Sequence, residues 1–195
     1  MNHSKIQRLT GLAIFTAIVV ILQIIATFVR FGPFSVTLTL IPIVVGATVY
    51  GMGAGAYLGL VFGIVVTIAS IVGWDLGGNA LWSASPFLTA AVCLFKGAAA
   101  GWAAGGVYRA VGRKRPVAAA VLAAVVSPVV NTGIFLLALN FLFHDFLVAW
   151  ATAAGADILT YVLTGLVGVN FLLELGVNAV MSPVIARIVH GRLHR

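Results

Sequence analysis

Pro86 to Pro116 reads PFLTAAVCLFKGAAAGWAAGGVYRAVGRKRP, a long apolar run broken by one charge, Lys96, and closed by Arg109 and the basic turn Arg113-Lys114-Arg115. A helix from about Pro86 to Tyr108 is long enough, at about 1.5 Å per residue, to cross a hydrocarbon core of about 30 Å. The cations behind it set its direction, because Lys and Arg stay on the cytoplasmic side of a membrane. This stretch alone predicts an integral membrane protein, and the rest of the chain is laid out from it.

Composition agrees. Of 195 residues, 62% are hydrophobic and 8% charged, with a mean hydropathy of +1.17, whereas a soluble domain carries roughly a quarter charged residues. Residues 1–195 are read as one membrane domain in the plasma membrane. The net charge of +7 reports orientation within the lipid bilayer and points to no nucleic-acid partner. The lone Cys93 excludes a disulfide or a thiolate metal site within the chain. No Walker A loop, His-Glu-x-x-His helix or GxSxG elbow is present, so no enzyme activity, cofactor or metal is expected.

The predicted fold is all-α, a six-span bundle with both termini cytoplasmic. The first span runs from about Leu9 to Val29, too long for the apolar core of a signal peptide, and ends at Arg30, Gly32 and Pro33. No charge occurs from Phe31 to Trp74, which leaves room for a hairpin of two spans, about Thr37–Tyr50 and Ala54–Val72, turning at Gly51-Met52-Gly53. Gly73 to Asn79 is polar and turn-rich. The remaining spans are about Pro86–Tyr108, Val117–Phe143 and Ile158–Val189, with Phe146 to Ala151 lying along the interface. This layout puts nine of the eleven Lys and Arg residues on one side, all but Arg30 and Lys96, and leaves Asp75, Asp145 and Asp157 on the other.

Lys96 falls near mid-membrane, and Glu174 at similar depth in the last span. Charge there costs several kcal/mol unless paired or hydrated. Either the two residues pair across helices, or they line a polar cavity that receives a solute. Asn170, Glu174, Asn178 and Ser182 recur every four residues and make a polar stripe that cannot face lipid. Asn131 in the fifth span is able to join it or to make an ordinary interhelical hydrogen bond. Trp74 and Trp82, near outer ends, serve as interface anchors or as stacking surfaces for a flat solute, with Asn79 and Arg30 close by in sequence. The ladders Gly51, Gly55, Gly59, Gly63 and Gly97, Gly101, Gly105 clear grooves for close helix packing.

Taken in order, several segments resemble the substrate-binding S component of energy-coupling factor vitamin transporters. They are Ala13-Ile14-Phe15-Thr16-Ala17, Phe34 to Ile43, Lys96 to Gly101, Pro128 to Gly133 and Asn170 to Leu175. The resemblance implies a subunit that captures a scarce water-soluble vitamin outside the cell and associates with a transmembrane coupling (T) component and two cytoplasmic ABC ATPase subunits. It also implies that Ala13 and Ala17 form part of the docking face for the coupling protein. The vitamin stays open between pantothenate-, folate- and riboflavin-like molecules. Lys96 and Arg30 favour a carboxylate, hence pantothenate or folate, while Glu174 pulls the other way. The competing reading is a self-contained secondary transporter or channel that uses Lys96 and Glu174 as an ion or proton relay.

Overall fold

The computed structural model describes residues 3–28, 39–172, 174–178 and 180. Eight α-helices and one π-helical stretch follow one another: α1 His3–Thr27, α2 Leu40–Tyr50, α3 Met52–Val72, α4 Leu76–Ala84, α5 Pro86–Val111, α6 Pro116–Leu142, α7 His144–Ala153, α8 Ile158–Tyr161 and the π segment Val162–Phe171. No strand occurs among the described residues. Helices α1, α3, α5 and α6 are each long and apolar enough to cross a membrane. A fifth span arises if α7 and the segment from Ile158 to Leu166, bent by 87° between them, are taken together.

The predicted second span is the largest departure. Helix α2 has 11 residues, about 16 Å of rise, roughly half of a hydrocarbon core. Most of its side chains are buried, from Leu40 through Thr48, because α1, α3, α5 and α6 all pack against it. Its uniform apolarity reflects a central position in the bundle. Gly51, at φ +93°, ends it and opens α3.

Helix α5 antiparallels α3 along the glycine ladders. Gly55 packs on the carbonyl of Gly101, Gly59 on that of Gly97 and Gly63 on that of Cys93. A Cβ at any of these glycines would strike backbone, so the approach requires glycine. The pattern is one of backbone contact between small residues, the packing that holds helices together where lipid offers no hydrophobic drive. Gly51 does not take part: nothing lies within 4 Å of where its Cβ would be, and its role is the turn.

Two further differences bear on the site. The segment after Gly73, read from sequence as a polar turn, becomes α4. Gly73 takes the left-handed conformation that closes α3, and its N–H bonds to the Ala69 carbonyl. The last predicted span is α-helical only to Tyr161, then π-helical to Phe171, with α geometry again at residues 174–178. Residues beyond 180, including Ser182, Arg187, Arg192 and Arg195, lie outside the described residues, as do Arg30 and the Phe34 to Leu38 part of the second segment.

Charge separates along the bundle axis. Arg8 donates to the Tyr50 carbonyl, 3.2 Å, at the α2–α3 turn. That turn lies against the Gly105 end of α5, just before exposed Arg109, Arg113, Lys114 and Arg115. Asp75 and Asp145 belong to the opposite end, where α3 passes to α4 and α6 to α7.

Candidate functional site

At that opposite end α3, α4, α5 and α6 enclose a cavity of about 30 Å³. Helix α3 contributes Val66 and Ser70, α4 contributes Gly78 and Leu81 behind its N-cap Asp75, α5 contributes Thr89, Cys93 and Lys96, and α6 contributes Phe135 and Leu139. Thr89, Cys93 and Lys96 are spaced four and three apart, so one face of α5 presents all three. Seven residues separate Thr89 from Lys96, about 10 Å along the helix.

Lys96 is half-buried, and its Nζ lies 4.7 Å from the Phe135 ring centroid. A cation over an aromatic face is attracted by the ring quadrupole, which offsets part of the cost of holding ammonium inside the bundle. Thr89 is 2% exposed and its Oγ1 has no hydrogen-bond partner. Ser70 Oγ donates to the Val66 carbonyl, 3.0 Å, which leaves its own lone pairs available. Asp75 is buried, and although it stands at the N-cap of α4 its side chain makes no capping bond to that helix. Its carboxylate folds over Gly78 instead, where a Cβ would lie 2.7 Å from Oδ2 and collide with Ser70 Oγ.

Of the sequence-predicted residues, Lys96 lines this cavity and the others are spread around it. Trp74 is exposed and packs its ring against Phe28, 5.7 Å between centroids. Trp82, on α4, is half-buried and does not line the cavity. Asn79 spends its amide on structure, donating to the Ser70 carbonyl at 2.8 Å. Asn131, one turn from Phe135 on α6, is 3% exposed with Oδ1 unpartnered. Glu174 and Asn178 are both buried and joined by Asn178 Nδ2 donating to the Glu174 carbonyl, 2.8 Å, while Glu174 Oε1 and Asn178 Oδ1 have no partner. Lys96 is near enough for its charge to act on Glu174, but its ammonium is seated on Phe135. Arg30 and the side chain of Asn170 lie outside the described residues. Ala13 and Ala17 are both exposed on α1.

Sequence reasoning passed over Asp75, Thr89, Ser70 and Phe135. Thr89 was recoverable, since it shares the helical face of Lys96. Asp75 was not, because a carboxylate in a glycine-rich turn reads as solvated until α4 folds it inward. Among the described residues no three His, Cys, Asp or Glu side chains converge as a metal site would need.

The profile of the family described as "ECF transporter, substrate-specific component" matches residues 7–186. The chain is also similar to the pantothenic acid transporter PanT of Lactococcus lactis subsp. cremoris (strain MG1363), 37% identical over 75 residues. That alignment covers 37% of this chain and 38% of the relative, well under half the length of either. No solved structure matches the chain. With apolar spans, a buried ammonium in an enclosed cavity and a profile match along nearly its whole length, this multi-pass membrane protein belongs to the family of ECF transporter substrate-specific components.

Proposed function

We propose that the chain captures a small carboxylated vitamin, of pantothenate type, from outside the cell and passes it inward by docking on a transmembrane coupling component driven by two ABC ATPases. The observation that carries this reading is Lys96, an ammonium held mid-helix in a cavity beside the unpartnered Thr89 hydroxyl. A carboxylate is the ligand group that would satisfy both. Similarity to a pantothenic acid transporter supports the choice of vitamin over folate and riboflavin.

In this reading the domain is single and crosses the membrane six times, with both termini cytoplasmic. Segregation of Arg8, Arg109, Arg113, Lys114 and Arg115 to one end of the bundle supports that orientation. The exposed Ala13 and Ala17 suit a docking face, because small residues let a partner helix approach closely. A cavity of about 30 Å³ holds little more than a water molecule. Capture therefore requires α4 to swing outward and then close.

Calorimetric titration of the purified chain with pantothenate, folate and riboflavin tests the assignment. Pantothenate should bind, and Lys96→Met should weaken it tenfold or more, about 1.4 kcal/mol. Unchanged affinity in a folded Lys96→Met protein would refute the site. Sustained ion-coupled uptake by the chain alone in liposomes would instead establish the self-contained transporter.

A further inference from the structure

We infer that Asp75 is a specificity-determining residue of this cavity, selecting carboxylates whose far end carries a hydroxyl donor. The inference rests on the pantothenate-type reading of the same site and narrows it to hydroxy acids. Three observations carry it. Asp75 is 6% exposed and lines the same enclosed cavity as Lys96, so a charge of each sign faces one small volume. The Asp75 carboxylate is not used to cap α4, the ordinary task of an Asp at that position. Gly78 keeps clear the space into which that carboxylate and the Ser70 hydroxyl project.

The geometry orders the ligand. Lys96 lies about 10 Å along α5 from Thr89, and Asp75 stands at the Thr89 end, where α4 passes into α5. A carboxylate held at Lys96 then points the remainder of the molecule toward α4. What Asp75 receives there must donate a hydrogen bond, because an ionised carboxylate only accepts. Pantothenate offers two hydroxyls at the end remote from its carboxylate. A second carboxylate, as in folate, meets like charge in a poorly hydrated space and is rejected. Because Asp75 belongs to the start of α4, the same contact holds that helix closed only over a ligand bearing the hydroxyl.

The test is calorimetric titration of the full-length chain with pantothenate and with its two analogues in which one or the other hydroxyl is replaced by hydrogen. On the unmodified protein one analogue should bind about tenfold to a hundredfold more weakly than pantothenate, as expected when a buried charged acceptor loses its donor. Asp75→Ala should bring pantothenate down to the level of that analogue while leaving the analogue itself unchanged. Asp75→Asn, which keeps an acceptor oxygen, should fall between. Equal binding of all three ligands by the unmodified protein overturns the inference and needs no variant to show it. So does a common loss for every ligand in Asp75→Ala, which would mark a structural role. Lys96→Met must lower all three ligands by one factor. If pantothenate binds and obeys Lys96 but ignores Asp75, only this inference fails, whereas absence of pantothenate binding removes the underlying reading and this inference with it.

Discussion

Replacing Gly59 by Ala tests the packing on which the cavity depends. A Cβ at Gly59 would collide with the Gly97 carbonyl oxygen and lie 2.6 Å from its carbon and 3.1 Å from Ala98 Cα. All of these are backbone atoms, so no side chain can rotate away. Ordinary carbon contacts need about 3.5 to 4.0 Å, and α3 and α5 must part by about 1 Å, a gap that forfeits a quarter to a half of each affected contact. Overpacking of this kind costs about 1–3 kcal/mol, or roughly 2 to 12 °C in melting temperature for a protein of this length. Gly133→Ala is the control, because nothing lies within 4 Å of its Cβ position, and adding a methyl in a helix interior is neutral or stabilising by up to about 1 kcal/mol. Cys93, buried and the sole cysteine, supplies the assay: a thiol-reactive fluorogenic dye reports unfolding of the purified protein during heating. Gly59→Ala melting alongside Gly133→Ala would refute the backbone-to-backbone contact.

In a Cys93→Ala background, a cysteine at exposed Leu76 should react with a membrane-impermeant reagent added outside, and one at exposed Arg113 only after permeabilisation; equal labelling would sink the proposed orientation. Ala13→Trp and Ala17→Trp should leave pantothenate binding by the isolated chain intact while abolishing ATP-driven uptake by the assembled complex, and loss of binding would mean this face packs within the bundle. Asp157 accepts from the Thr160 N–H at 3.1 Å and from Thr160 Oγ1 at 2.6 Å, and these bonds hold its carboxyl below the ordinary value of 3.8. Stabilisation from a lowered pKa is complete above the unfolded value and is lost as pH falls through the native one. Hydrogen-exchange protection of Ile158 to Tyr161, corrected for intrinsic rates, should therefore drop below about pH 4, and Asp157→Asn should remove that dependence.

The parts of the fold legible in the sequence were those set by repetition or by cost. Glycines every four residues allow little besides helix-to-helix contact, and the registers Gly55 with Gly101 and Gly59 with Gly97 follow from pairing two such ladders antiparallel. Lys96 was legible because charge amid apolar residues is too expensive to be accidental. Tertiary context hid the rest. An apolar run cannot say whether it spans lipid or lies inside the bundle, so α2 was read as a full crossing although other helices surround it. A glycine-rich polar segment cannot say whether it will fold, so α4 and the inward Asp75 were read as a solvated turn.

The polar stripe of the last span shows the same limit in finer form. Its four-residue spacing assumes α geometry, and where that geometry holds the spacing works: Glu174 and Asn178 are both buried and bonded one turn apart. Asn170 falls inside the π segment Val162–Phe171, whose hydrogen bonds reach five residues back and wind the backbone more slowly than an α-helix does. The face of Asn170 is therefore not the face that an α count assigns it. A turn of this kind is costly and tends to be kept where a site needs a side chain re-aimed. Here it lies directly ahead of the buried carboxyl of Glu174, which Lys96 can sense across the bundle. The depth at which Glu174 meets the interior thus depends on the π turn, and inserting or deleting one residue within Val162 to Phe171 would rotate Glu174 and Asn178 together toward lipid.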